Sequence, residues 1–418
     1  MNHLSPLLVP SSNVVVTHAK GCYVYDASDT AYLDFTSGIG VTATGHCHPH
    51  VVEAVKNQSE LLFHGQYATV QHPTMLELAD RLAQRMPDSV DSICFSNAGT
   101  EAVETAIRLA RQATGRPNVI CFQGGFHGRT MGSASLTTSN VKIRAGQQPM
   151  MGGVVIAPFP HHQRWGWSAE AATRFCLDEL DHLFLTTTAP SETAAMIIEP
   201  VQGESGYYPC PSGFLAGLRE RCERHGLLLI ADEIQSGFGR SGRFWAHEHD
   251  GVEPDMVITA KGLASGLPLS ALAAPRALMQ RGYPGSQGGT YGANALACAA
   301  ALATLDVFER EDLVQNAAQM GERLRKSLES LRTEHPIISD VRGRGLMLGM
   351  EIVDADGAPD GAMAGSLLEE AERRQLLLLR CGTHGQVVRW LPPLIAKEAE
   401  IDRAVETFSA VLQSAVVA

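Results

Sequence analysis

The chain contains no Cys-x-x-Cys pair, no apolar run of membrane-spanning length, no internal repeat and no low-complexity block. Each absence excludes something. Its nine cysteines are scattered and odd in number, which argues against a disulfide-stapled fold and for reduced thiols in the cytoplasm. No basic segment leads into an apolar one near the N-terminus, so neither a membrane span nor a secretory leader is expected. Positive charge is in deficit: 33 Lys and Arg stand against 45 Asp and Glu, a formal net charge of −12. That balance argues against broad nucleic-acid or anionic-membrane binding and leaves room only for a local basic pocket. Metal-ligand clusters are scarce too. "GHCHPH" (45–50) has a metal-like look, but no second ligand cluster lies nearby, so a turn with structural histidines is expected.

What is present is an ordinary globular chain of 418 residues, 44% hydrophobic and 19% charged, long enough for two domains. Residues 13–35 alternate like strands, with Asp26–Thr30 as a hairpin turn. Buried strands are predicted at 92–97, 119–122, 153–158, 194–200, 227–232, 256–261 and 269–275. Helices are predicted at 99–115, where Val103, Ile107 and Ala110 keep helical spacing, and at 210–226. Strands alternating with helices imply an α/β fold around a mostly parallel, doubly covered sheet. A helical stretch from Leu296 to about 333, then "SDVRGRGLMLGMEI" and "VVRWLPPL", reads as α+β. The expected division is therefore an N-terminal segment (1–45) joining a C-terminal small domain (306–418), around a large domain (46–305).

The stretch "LLLIADEIQSGFGRSG" (227–242) drives an unalternating apolar run into an acid, placing Asp232 at the carboxyl end of a buried strand, where open α/β sheets bind ligands. Lys261 ends a second such run. The two strands would deliver an acid and an amine to one edge. They form either a fold-fixing ion pair, weak after desolvation, or a site in which a desolvated lysine attacks a carbonyl. A lysine that bonds an aldehyde, with an Asp facing a pyridinium nitrogen, is the pairing used with pyridoxal phosphate. "SNAGTEA" (96–102) offers a phosphate a strand end, Gly99, the Thr100 hydroxyl and a helix N-terminus, and it also reads as an ordinary helix cap. "GGFHGRT" (124–130) adds Phe126 to stack on a ring, His127, and Arg129 to hold a carboxylate, or it is a glycine-rich turn with a surface Arg.

The ordered set "NAGTEA", "FHGRT", "EPVQGESG", "ADEIQSGFGRSG", "TAKGL", "GTYGANALACAAALA" and "RWLPPL" resembles the class III aminotransferases, fold-type I enzymes that use pyridoxal phosphate. The resemblance spans nearly the whole chain. It implies that Lys261 binds the cofactor covalently and carries the proton, and that Asp232 keeps the ring nitrogen protonated. It implies that Phe126 and Ile234 sandwich the ring, with His127 among the cofactor contacts and Gln235 near the phenolic oxygen. Gly99 and Thr100 would hold the phosphate, joined by Thr290 from a partner subunit in a homodimer with shared sites, a tetramer being left open. Glu199 would support the site beside Gln235. Arg129 and Arg389 are the implied substrate-carboxylate residues, and Glu204 the acid that pairs with Arg389 and swings away for an α-carboxylate. The other reading of Glu204 and Arg389 is a rim salt bridge with no such role.

Ile39 stands where the 4-aminobutyrate branch places an aliphatic residue, and "ACAAALATLDVFERED" also resembles that branch. The resemblance thus implies transfer from 4-aminobutyrate to 2-oxoglutarate, with acetylornithine or ornithine as alternative donors. Ala293 and Ala295 depart from the family pattern beside the Thr290 loop. A racemase on the same scaffold would need no 2-oxoglutarate, and Arg129 counts against a decarboxylase.

Overall fold

A computed structural model describes residues 3–417. Seven strands form the central sheet, in the spatial order Ser92–Ser96, Ser270–Ala274, Met256–Thr259, Leu228–Asp232, Thr193–Ile198, Asn118–Phe122 and Val154–Ala157. The strand Ser270–Ala274 runs antiparallel to both of its neighbours, and the adjacent pairs among the other strands are parallel. The apolar runs do not alternate with polar residues because both faces are covered. Val119, Cys121, Ala195, Ile197 and Ile230 join one core, which includes apolar residues of the helix Gly99–Thr114. Ile120, Phe122, Met196, Ile198 and Leu229 join another, with residues from the helices Ala169–Thr186 and Phe214–His225. Each fully buried aliphatic or aromatic side chain of this kind contributes about 1.5–3 kcal/mol.

Of two smaller sheets, one joins the N-terminal strands to the C-terminal part of the chain and the other is built from the C-terminal part alone. Val16–Lys20, Tyr23–Asp26 and Ala31–Asp34 form an antiparallel meander, and Leu376–Leu377 adds to it in parallel. The expected turn is closed by the Asp26 carboxylate, which accepts from the amides of Ser28 and Thr30. Ile338–Arg344, Met347–Ile352, Val387–Trp390 and Leu379–Cys381 form an antiparallel sheet. Its core includes buried residues of the helices Leu313–Glu334 and Gly361–Arg373. The helical stretch after 295 is two helices, Ala295–Arg310 and Leu313–Glu334. Residue 305 lies inside the first, and the break comes at Asp312, whose φ is 49°.

The histidines of "GHCHPH" each meet a carboxylate from elsewhere in the chain. His46 pairs with Asp34 at 2.8 Å, His48 with Glu311 at 3.0 Å and His50 with Asp306 at 2.8 Å. They stitch this turn to the strand Ala31–Asp34, to the helix Ala295–Arg310 and to its C-cap residue Glu311. All nine cysteines are free. Among the described residues, no helix is long and apolar enough to cross a membrane.

Candidate active site

The parallel pairing of Leu228–Asp232 with Met256–Thr259 sets Asp232 beside Ile258, so both strands end at one sheet edge. The chain leaves the second strand through Ala260, and Lys261 then adopts a left-handed φ of 44°, a conformation a non-glycine residue holds only at a cost of about 1–3 kcal/mol. The Lys261–Asp232 ion pair considered above does not form. Burial dominates the amine and lowers it from its ordinary value of 10.5 to about 8, with Arg389 adding to that and Glu204, Glu199 and Asp232 opposing it. A neutral, nucleophilic amine is therefore accessible near physiological pH.

Asp232 is buried and spends one oxygen on His127 Nδ1 at 2.7 Å and the other on the Ile234 amide at 3.1 Å. Burial disfavours the charged form of His127, but the hydrogen bond and charge of Asp232, with the charge of Glu199, raise it overall. Glu199, buried at the end of Thr193–Ile198, accepts from the amides of Phe126 (2.8 Å) and Gly203 (2.9 Å), and burial lifts it to about 7. Glu233 follows Asp232 but faces the core, where it holds His247 and Ser236. The Asp-Glu pair thus divides, one acid to the site and one to the scaffold, as successive strand residues face opposite ways.

At the other end of the site the helix Gly99–Thr114 opens, and the amides of its first turn have no acceptor within the helix. Glu101 takes up the amides of Asn97 (2.7 Å) and Ala98 (3.2 Å), leaving those of Gly99 and Thr100 for an anion. Gly99 lies close against Ile234: a Cβ there would fall 2.8 Å from Ile234 Cδ1 and force that side chain to shift. The Thr100 hydroxyl is turned to Thr130 (2.7 Å) and Ser133 (2.6 Å), so the backbone amide is what Thr100 presents. On the substrate side, Glu204 and Arg389 form a bidentate pair with both contacts at 2.7 Å. This is no exposed rim bridge, because the Arg389 side chain is only 7% accessible. Burial pushes the Glu204 carboxyl up, yet Arg389 more than compensates and holds it below its ordinary value.

A cavity of 440 Å3 unites Gly99, Thr100, Phe126, His127, Arg129, Glu199, Glu204, Asp232, Ile234, Gln235 and Lys261. Arg389 lies outside its lining, behind Glu204. Thr290 is exposed on the loop after Gly288 and does not reach the cavity of its own chain. Ile39 also stands off. Gly38, Ile39 and Gly40 are all left-handed, with φ of 58°, 68° and 75°, and this turn leaves Ile39 43% exposed while Val41 meets the cavity. Val41, Asn97 and the Leu267–Leu269 turn are among the lining residues that the sequence reading missed. The glycines flanking Ile39 were the one local sign of that turn. A larger cavity of 770 Å3, between His161 and Tyr208 on one side and Asp340 and His384 on the other, contains none of the residues named for the site.

The residues fit pyridoxal phosphate. The lysine amine is free of any salt-bridge partner among the described residues, the Asp232 carboxylate stands at the cavity wall, and two helix-opening amides await an anion. Gln235 Oε1 is buried with no hydrogen-bond partner, so the amide has capacity for a polar group entering the cavity.

A family model described as Aminotransferase class-III matches residues 8–412. The 5-aminovalerate aminotransferase DavT of Pseudomonas putida is 40% identical, covering 93% of this chain and 91% of its own. The 4-aminobutyrate aminotransferase GabT of Escherichia coli is 39% identical, covering 95% and 92%. Among solved structures, an amine transaminase from an uncultivated Pseudomonas species in its PLP-bound form superposes with a TM-score of 0.91 at 31% identity, covering 99% of this chain and 98% of that one.

The depressed Lys261 amine gives a direct test. In cofactor-free protein, trapping of an aldehyde on Lys261 by borohydride should rise with pH through an inflection near 8, since only the neutral amine attacks. An inflection at the ordinary lysine value would contradict the environment described.

Proposed function

Since the chain belongs to the class-III aminotransferases, we propose that it moves the amino group of a short ω-amino acid, such as 4-aminobutyrate, to 2-oxoglutarate, giving the semialdehyde and glutamate. The names of the relatives, 4-aminobutyrate and 5-aminovalerate aminotransferase, support a donor of this class. One observation carries the reading: a cavity lined by one open arginine, with a second arginine just behind its wall neutralised by the lining residue Glu204. Arg129 lines the cavity, is exposed, and is available to a distal carboxylate. Arg389 is buried and already paired with Glu204.

The energetics favour a switch. An ω-amino donor has no α-carboxylate, so Glu204 stays on Arg389 and keeps a buried cation compensated. Removing that partner with nothing in its place would cost about 3–5 kcal/mol. Glutamate brings an α-carboxylate that takes the place of Glu204, while Arg129 still holds the distal carboxylate. One site then serves both half-reactions.

Pyridoxal phosphate, when bound, supplies the ring that takes up the electrons released at the donor carbon. The chain's own part is to hold and move charge around it. Lys261 Nζ carries the proton to and from the reacting carbon, with its amine already set near neutrality. Asp232, backed by His127, holds a proton on the ring nitrogen. Phe126 and Ile234 would enclose the ring, Gln235 would offer it a polar contact, and the Gly99 and Thr100 amides would hold the phosphate. Glu199 fixes the Phe126 and Gly203 backbones around Gln235. We assign Thr290 to the site of a second copy, because its own chain turns it away from the cavity. The free thiols support a reducing, cytoplasmic location.

Three measurements check this. Arg129→Ala should raise KM for 4-aminobutyrate by roughly ten- to a hundredfold, as expected for a lost charged hydrogen-bond pair. Glu204→Ala should instead shift preference toward α-amino acids by exposing Arg389. Equal losses in both half-reactions from both changes would contradict the switch. Hybrid dimers of Lys261→Ala with Thr290→Ala chains, once Thr290→Ala alone is shown to be impaired, should recover up to half of wild-type activity per dimer. Recovery no better than the parental average would mean that Thr290 serves its own chain.

A further inference from the structure

Arg129 stands on an exposed stretch without a hydrogen bond or ion pair of its own among the described residues, yet the reading above asks it to clamp a carboxylate. Something must hold its backbone. The holding groups lie behind it, on the helix whose opening turn faces the phosphate. Glu104, one turn into Gly99–Thr114, sends Oε1 to the Thr130 hydroxyl (2.6 Å), the Gly132 amide (2.9 Å) and the Ser133 amide (3.1 Å). It thereby caps the short helix Met131–Leu136 that follows Arg129. Thr100 meets Thr130 at 2.7 Å and Ser133 at 2.6 Å, so three hydroxyls run from the helix opening to the Arg129 turn. A carboxylate only accepts, so the Thr130 hydroxyl donates to Glu104 and is left to accept from its neighbours Thr100 (2.7 Å) and Ser133 (2.9 Å).

The backbone is shaped to admit this network. Gly128 has a φ of 131°, and a Cβ there would lie 2.7 Å from Thr100 Cβ. A Cβ on Gly132 would lie 2.8 Å from the Glu104 carboxyl carbon. On the other side of Arg129, the Thr137 hydroxyl accepts from the His127 amide (2.9 Å) and donates to the Gly128 carbonyl (3.0 Å). Arg129 is therefore suspended between two anchors, one of which ends on Glu104.

We propose that Glu104 is a positioning residue that sets the distance between the phosphate-facing helix turn and Arg129, and so fixes which chain length of carboxylate-bearing substrate fits. The proposal rests on the reading of Arg129 as the distal-carboxylate clamp. Glu104 touches neither cofactor nor substrate and acts through the Thr130 hydroxyl and the Gly132 and Ser133 amides.

The test uses the holoenzyme and glutarate, a dicarboxylate with no amine to react, titrated by calorimetry, alongside KM and kcat for 4-aminobutyrate. Glu104→Ala should weaken glutarate binding and raise KM roughly tenfold, with kcat, bound cofactor and thermal midpoint changed little. Glu104→Gln, which keeps an acceptor oxygen, should restore most of the loss. Combined with Arg129→Ala, Glu104→Ala should add nothing further. Unchanged binding in Glu104→Ala, or additive losses in the double variant, would overturn the positioning role while Arg129→Ala alone still weakened glutarate. If Arg129→Ala leaves glutarate binding intact, the clamp reading itself fails and takes this inference with it. Should Glu104→Ala not fold, Thr130→Val breaks the same link and faces the same criteria.

Discussion

The contact between Asp232 and His127, 2.7 Å long and buried at the end of a fully covered strand, is what the rest of the site is arranged around. A carboxylate in that position is costly unless paired, and the imidazole supplies the pairing without removing the negative charge the site needs. Had Lys261 been the partner, the amine would have been locked as an ammonium. Because His127 takes that role, Lys261 is left to burial, which brings it to about 8. Glu199 adds a second carboxyl near the imidazole and anchors the Phe126 and Gly203 backbones. One pairing choice therefore supports a buried carboxylate and leaves the amine free to become neutral.

The same logic governs the substrate side. Arg389 would be an uncompensated buried cation without Glu204, and the bidentate pair resolves that; in the proposed function Glu204 is the group that leaves when another carboxylate arrives. Arg129 is the opposite case, exposed and free, and held in place by its backbone. In the proposed function, one neutralised and one open guanidinium let the site distinguish a substrate with one carboxylate from a substrate with two. A symmetric pair of free arginines would not.

Much of this was legible in the sequence where local pattern and global fold agree. Unbroken apolar runs ending in Asp232 and Lys261 read as buried parallel strands because both faces of the sheet are covered, and that is how the two side chains reach one edge. The direction of Ser270–Ala274 was not legible, since an antiparallel strand buried on both faces has the same composition as a parallel one. The helix break at Asp312 was missed because an acidic residue in a left-handed turn leaves no glycine or proline to mark it. Ile39 lies outside the lining of its own chain's cavity for a related reason: four consecutive left-handed residues, Ser37 to Gly40, set its direction, and no periodicity reports that. The Thr100 hydroxyl looked like a phosphate donor until its neighbours Thr130 and Ser133, thirty or more residues away, became visible as its partners. Long-range side-chain pairing is the part that a linear reading does not reach.

The central claim is that the buried carboxylate at the end of Leu228–Asp232 exists to hold a charge on a bound ring, and the most direct measurement is the turnover of Asp232→Asn. An amide keeps the shape and can still meet His127, but it no longer stabilises a positive ring nitrogen. The account predicts a folded protein with an unchanged thermal midpoint, within a few degrees, and a kcat reduced on the order of 100-fold or more, the scale of losing one charge-stabilising group in a dry site. A folded Asp232→Asn protein that turns over at close to the wild-type rate would contradict it.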